Sequence, residues 1–296
     1  MRAATIAAGA LVLSTMACQR QSASTGYRGE IEAFRRAREA KLTSDTGWLT
    51  IAGLFFLSKP ESTFGSDPQN DIVLPAGAPS RAGTFFLRDG HVAVKAADGV
   101  SFVLDDRTIR DGELASDNPG PPDRISLGDL TLWVHQSGDR LAIRLRDKNN
   151  QLRKAFIGLS WFDVNDAYRV EGTFTPFEEP KMVEVPNLLG DVETMTSPGT
   201  VAFTLGGRPL SLAVVTENDR EFWFIFRDLT SGAETYPAVR FLYTPRPVNG
   251  KVTLDFNKAE NPPCAYNPYA TCPLPPPENR LPVRIEAGEK NYTGHS

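Results

Sequence analysis

The stretch FGSDPQNDIVLPAGAPSRAGTFFLRDGHVAV, residues 64–94, sets the structural class of this 296-residue chain. It holds two short apolar or alternating runs, at 71–74 and 84–87, and all but the last residue of a third at 91–95, cut by Pro75, Pro79 and the Asp89-Gly90 pair. Runs this short, rich in Val, Ile and Phe and bounded by turn formers, read as strands joined by tight turns. Asp-Gly suits a two-residue hairpin turn because both central positions need φ > 0. The same rhythm continues at 101–104, 129–135 and 140–144, with Asp98-Gly99, Asp111-Gly112 and Ser137-Gly138 between or beside the runs. Past a proline-rich loop at 119–122 and a polar boundary at 147–151 (DKNNQ) come the runs 156–162 (FIGLSWF) and 168–177. Strand signals resume at 181–185, 193–195, 199–205, 210–216, 221–226, 239–243 and 251–256. Short strands at near-even spacing predict a mainly β protein, a β-sandwich followed by a second antiparallel β-rich lobe.

Two stretches before residue 64 depart from this pattern. In YRGEIEAFRRAREAKL, residues 27–42, Tyr27, Ile31, Phe34 and Leu42 recur at helical spacing with Arg and Glu on the other face, which predicts one amphipathic helix packed on a sheet edge. The apolar run at 47–57 reads as a buried strand that Gly53 bends. Further back, Met1-Arg2, an apolar segment at 3–13 and Ser-Thr-Met-Ala-Cys at 14–18 have the form of a secretory leader. Thr15-Met16-Ala17-Cys18 resembles a lipoprotein processing site, which implies a signal peptide at 1–17 and lipid attached to Cys18. Gln19 after the cysteine then implies an outer-membrane lipoprotein facing the periplasm, with the polar residues 18–26 as its tether. The membrane is one expected partner through that anchor.

Composition narrows the remaining partners. A net charge of −4 with no basic cluster speaks against nucleic acid. Of three cysteines, Cys264 and Cys272 remain once Cys18 is assigned to lipid. In an oxidising compartment they read as a disulfide, and with no nearby His or third Cys they do not read as a zinc site. No cofactor and no metal are implied.

Gly65-Ser66, then Asn70 to Pro75 (NDIVLP), Ser80-Arg81 and Leu127-Gly128-Asp129-Leu130 are similar to a forkhead-associated domain. The resemblance implies a β-sandwich at 60–150. In that family an arginine beside the first glycine, and a serine and a histidine in the next loop, grip phosphothreonine. Ser66 stands where that arginine would be, and no histidine follows Arg81 before His91, so a phosphothreonine peptide is not the expected ligand.

The densest stretch is DFNKAENPPCAYNPYATCPLPPPENRLP, residues 255–282, with eight prolines, four asparagines, two cysteines and two tyrosines. Proline at that density leaves neither a helix nor a central strand, only a long loop of fixed shape. Together with Trp48 to Leu54, Phe226 to Gly232, Thr235-Tyr236 and Glu286 to Lys290, it resembles a bacterial family catalogued only as domain of unknown function 1684. That family implies an architecture and brings no activity with it. The organisation expected is a leader at 1–17, a tether at 18–26, a helix and strand at 27–59, a forkhead-associated-like lobe at 60–150 and a second lobe at 151–292 closed by the proline and cysteine loop.

Candidate chemistry gathers in the second lobe. The apolar run FWFIF at 222–226 ends by presenting Arg227-Asp228, and Arg240 returns beside Phe241. An aspartate and an arginine from adjoining strands, facing a rigid loop, make a polar pocket with Asp228, Arg240 and Glu289 as candidate catalytic groups. Tyr236, Asn257, Lys258, Tyr266 and Asn279 are the candidate binding residues, with Trp161 and Tyr269 as further aromatic walls suited to a sugar or wall fragment. The functions these residues suggest are an envelope ligand-binding module, a hydrolase working through a carboxylate pair, or an assembly factor. A Ser-His-Asp arrangement is not expected: the histidines are His91, His135 and His295, and the first two lie on strand-like segments where surface or core roles are usual.

Overall fold

The computed structural model describes residues 9–216 and 220–294, and in the N-terminal helix its side chains from Gly26 onward. Residues 1–8, the side chains of residues 9–25 with that of Cys18, and His295 lie outside that range, while the rest of the expected leader and the expected tether at 18–26 fall within the helix Gly9–Thr43.

The protein is mainly β, with antiparallel sheets and one long N-terminal helix. Helix α1 (Gly9–Thr43) is longer than the amphipathic pattern alone predicts. It buries Tyr27, Ile31 and Leu42 as their spacing requires, and Arg38 on the same stripe. Eleven strands follow: β1 (Ile51–Phe56), β2 (Glu61–Gly65), β3 (Ile72–Val73), β4 (Gly83–Arg88), β5 (His91–Ala96), β6 (Phe102–Leu104), β7 (Arg107–Ile109), β8 (Asp111–Leu114), β9 (Ile125–Leu127), β10 (Leu130–Ser137) and β11 (Arg140–Asp147). They form a five-stranded sheet in the order β3-β2-β4-β5-β8 and a six-stranded sheet in the order β1-β11-β10-β9-β6-β7. All pairs are antiparallel except β2 with β3. Alternation turns Leu132, Val134, Ile143 and Leu145 of one sheet and Phe64, Phe85 and Val94 of the other into a shared core, in the manner of a sandwich. Phe64 stacks on Phe85 at 4.4 Å between ring centroids. Truncating either ring would cost about 3–5 kcal/mol.

Apolar strength alone does not make 47–57 one strand. Trp48–Thr50 is a 3-10 turn, and β1 begins after it with a register irregularity between Ile51 and Gly53. The run 156–162 is likewise not a strand, apart from an isolated bridge from Trp161 to Glu289.

The second half is built on fewer, longer strands than the sequence suggests. β12 (Arg169–Pro186) and β13 (Val192–Leu205) form one long hairpin. The pieces at 168–177 and 181–185 belong to a single strand whose break, at Pro176 to Lys181, is absorbed as a register irregularity. With β14 (Arg208–Ala213) and β17 (Lys251–Asp255) they make a sheet in the order β14-β13-β12-β17, and β15 (Glu221–Phe226) pairs with β16 (Arg240–Pro245). A second core holds Val201, Phe203, Phe224, Phe226, Leu254 and Phe256.

Residues 27–56 stitch the two halves together. The side chains of α1 find their partners in the second half: Tyr27 Oη donates to Asp255 at 2.7 Å, Arg35 to Phe162 O at 2.7 Å and Arg38 to Asn261 O at 2.8 Å. β1, directly after that helix, pairs with β11 of the first half. At the other end Asp191, in the β12–β13 turn, takes a bidentate bond from Arg140 at 2.8 and 2.6 Å and a third bond from Ser137.

Candidate functional site

Asp228 and Arg240 do meet. Arg240 Nη1 donates to Asp228 Oδ2 at 2.7 Å, and both side chains are fully enclosed. Thr230 N and Ile285 N donate to Asp228 Oδ1, while Arg240 also donates to Ile285 O and Ala287 O. Burial pulls the Arg240 guanidinium below its ordinary range, opposed by the charge of Asp228. Buried charge that ends on backbone carbonyls and amides is a tie between strand and loop.

Glu289 belongs to a separate network. Its carboxylate accepts from Asn261 N and Nδ2, both at 3.1 Å, and lies 3.8 Å from Arg38, which also faces Glu260 at 3.2 Å. Two acids share one arginine there, so a proton is retained. Burial pushes Glu289 up to about 8 against the pull of Arg38, and Glu260 is raised by burial as well. Gly288 turns the chain into this network at φ 81, where an added Cβ would stand 2.5 Å from Ala259 O.

The candidate binding residues build the interior too. Asn257 joins Tyr27, Asn165 and Asp255. Asn279 clamps both backbone groups of Ala213 and the carbonyl of Ile225 at 2.7–2.9 Å. Lys258 pairs with Glu30, and Tyr266 is fully buried against Leu42 and Leu49. Tyr236 packs on that same cluster. Trp161 packs on Phe34, and Tyr269 is partly exposed. The loop's asparagines are clamps on backbone, because a segment short of regular structure must satisfy its neighbours' polar groups with side chains.

Cys264 and Cys272 stand at disulfide distance, 6.2 Å between Cα atoms. Within the ring they close, Asn267 Nδ2 donates to Trp48 O at 3.0 Å and Ile51 O at 2.7 Å. The ring is thereby fixed where the two halves meet, and there a cavity of about 660 Å³ opens. None of Asp228, Arg240, Glu289, Tyr236, Asn257, Lys258, Tyr266 and Asn279 lines it. From the first half come Trp48, Asp117, His135 and Arg144; from the second come Glu193, Trp223, Phe241, Tyr243 and Thr271.

Alternation explains why these side chains are there. Leu132, Val134, Ile143 and Leu145 face the sandwich core, so Trp133, His135, Arg144 and Arg146 face the other way, and of these His135 and Arg144 meet Thr271 of the second half. His135 and Arg144 are nevertheless only 6% and 5% exposed. A polar strand face that is also buried was the signal available in the sequence pattern, once something covers it.

The geometry is a chain of hydrogen bonds. His135 Nδ1 lies 2.7 Å from Asp117 Oδ2, and His135 Nε2 lies 3.2 Å from Thr271 Oγ1. Arg144 Nη2 donates to the same Thr271 Oγ1 at 3.3 Å. Burial acts to raise the Asp117 carboxyl, but the bond and charge from His135, helped by Gln136 N at 2.9 Å and by Arg144, hold it below the ordinary carboxylate range. Burial lowers Arg144 to about 10, which leaves it charged at neutral pH, and raises Glu193. Arg144 also lies over the ring of Trp48, 5.4 Å from its centroid, and Trp223 stacks on Tyr243 at 5.7 Å. Two donors on the lining side chains, Arg144 Nε and Trp223 Nε1, are buried without a hydrogen-bond partner among the described residues. Among those residues no group of three or more His, Cys, Asp and Glu is arranged to hold a metal ion.

Fold and site together define a mainly β protein of two joined halves with an aromatic and charged cavity between them. Residues 154–290 match the model of the family described as protein of unknown function (DUF1684). The match takes in the motifs at 226–236 and 255–290 and stops short of the one at 48–54. An uncharacterized protein of Haloarcula marismortui, solved by NMR in solution, is 34% identical over 47% of this chain and 78% of its own, with a TM-score of 0.40. A fragment of Rad53, residues 1–466 in complex with AMP-PNP, is 15% identical over 53% of this chain and 35% of its own, with a TM-score of 0.20. At those scores neither superposition carries an argument about the fold. No curated protein matches the chain.

Proposed function

We propose that this protein is a ligand-binding module of the cell envelope and that its ligand, a sugar or wall fragment bearing carbonyl or carboxylate oxygens, occupies the cavity between the halves. The single observation that carries this reading is the cavity of about 660 Å³ itself, walled by the stacked Trp223 and Tyr243 and by the charged Arg144. The stacked Trp223 and Tyr243 offer the flat apolar face that a pyranose ring covers. The rest of the proposal rests on the N-terminal motif and the sandwich: Cys18 carries lipid, the body faces the periplasm, and residues 60–150 are a forkhead-associated-like lobe serving as a wall rather than as a phosphopeptide reader.

The test is titration of tryptophan fluorescence with N-acetylated and uronic-acid saccharides. Saturable quenching that Arg144→Gln and Trp223→Phe weaken tenfold or more supports the reading. Unsaturable or absent quenching in the wild type overturns it. Cys18→Ala separately tests the anchor, because the protein then leaves the membrane fraction; unchanged fractionation defeats that part.

A further inference from the structure

Thr271, His135 and Asp117 have the connectivity of a nucleophile, its base and the group that orients the base. Asp117 is ionised and receives His135 Nδ1, so that nitrogen carries the ring proton and Nε2 is left as acceptor, 3.2 Å from the Thr271 hydroxyl. Trp133 Nε1, at 3.4 Å, and Gln136 N hold the carboxylate in place from their own strand. Thr271 sits beside Cys272 on the ring that Asn267 pins, partly exposed to the cavity rather than packed in the core. Arg144 Nη2, 3.3 Å from the same Oγ1, brings a charged guanidinium against that hydroxyl, next to where negative charge would develop on an attacked carbonyl. A tie between the halves would need only the hydrogen bonds. It would not need a charged guanidinium against the hydroxyl and an open space of about 660 Å³ beside it.

We infer that the cavity is an esterase site in which Thr271 is the nucleophile, His135 the general base and acid, Asp117 the positioning residue and Arg144 the oxyanion donor, acting on carboxylic esters such as O-acyl groups on a saccharide. The inference rests on the binding reading above for the identity of the alcohol. In the first half-reaction the Thr271 Oγ1–H bond breaks, its proton passes to His135 Nε2, and Oγ1 bonds to the acyl carbon as the carbonyl electron pair moves onto oxygen beside Arg144. Collapse re-forms the carbonyl and expels the sugar alkoxide, which takes the proton from Nε2. Water then gives a proton to Nε2 and attacks the acyl-threonine, and Thr271 Oγ1 leaves with that proton. The sum is ester and water to carboxylic acid and alcohol, with no oxidant, reductant or metal in the balance.

The experiment pairs two readouts on the full chain: acetate release from 4-nitrophenyl acetate and from peracetylated glucosamine, and fluorescence titration with the unesterified saccharide. A fluorophosphonate adduct mapped by mass spectrometry adds a test that needs no variant. The inference expects wild-type turnover, an adduct on the peptide holding Thr271, at least a hundredfold loss in Thr271→Ala and His135→Asn with saccharide binding retained, and recovery in Thr271→Ser. Asp117→Asn should slow release while leaving KM near the wild-type value. A wild type that binds saccharide but releases no acetate and takes no adduct overturns the esterase and leaves the binding module standing. Failure of both readouts overturns both.

Discussion

Two charged clusters in this chain use nearly the same groups and come to different ends. In the second half, Asp228 and Arg240 are fully enclosed and bonded to one another and to the backbone of the returning loop. At the face between the halves, His135 and Arg144 sit on regular strands and Asp117 in the bend after β8, and their bonds run on to Thr271 beside open space. Arg240 also has an unpartnered Nε, but it lines no part of the cavity. Burial of charge therefore does not mark a site. A buried charge becomes one when a neighbouring volume lets a ligand complete its bonds, and otherwise it is mortar.

The contrast breaks most directly at the two arginines. Arg240→Met leaves Asp228 buried and uncompensated, so urea unfolding should show a loss of about 3–5 kcal/mol. Arg144→Met, with its neighbours reaching the cavity, should cost about 1–2 kcal/mol while abolishing the saccharide titration. Equal losses in the two variants would erase the distinction. Cys272→Ser, which opens the ring that carries Thr271, should cost about 2–3 kcal/mol, and the unreduced wild type should weigh about 2 Da less than its reduced form. Two free thiols in the intact protein would remove the pin from the proposed nucleophile. Asn279→Ala, which strands the Ala213 and Ile225 carbonyls, should lower stability by about 1–3 kcal/mol without touching ligand binding. An effect on binding there would return the asparagines to the list of ligand contacts.

A further expected effect is a pH dependence. The folded state holds Glu289 protonated up to about 8, far above the ordinary value of 4.5. Between those limits the unfolded chain has released a proton that the folded chain retains, so rising pH favours unfolding. Thermal midpoints should fall as pH rises from 4.5 toward 8, and Glu289→Gln should flatten the curve. A wild-type midpoint that climbs across that window would show Glu289 ionised in the fold, with Arg38 outweighing burial.

Much of the architecture was legible in the chain. Alternation and Asp-Gly turns located β4, β5, β10 and β11, helical spacing located the buried face of α1, and two cysteines eight residues apart predicted the pair now found at disulfide distance. Elements missed were β2, β7, β8 and β9, three to five residues each, whose apolar content is too small to register without the neighbours they pair with. The site was misplaced for a different cause. Charged residues near a rigid loop are visible in a sequence, but their saturation by Ile285 O and Ala287 O is not.

Local pattern told which side of a strand each residue takes, because side-chain direction follows from backbone period alone. It put His135 and Arg144 opposite the sandwich core with no help from the rest of the chain. What lies against that face is another matter. His135 meets a threonine 136 residues away, and only the packing of two separately formed cores, pinned by α1 and the cysteine ring, brings the hydroxyl to the imidazole. Contacts at that separation depend on how whole surfaces fit, a property no window of neighbouring residues contains.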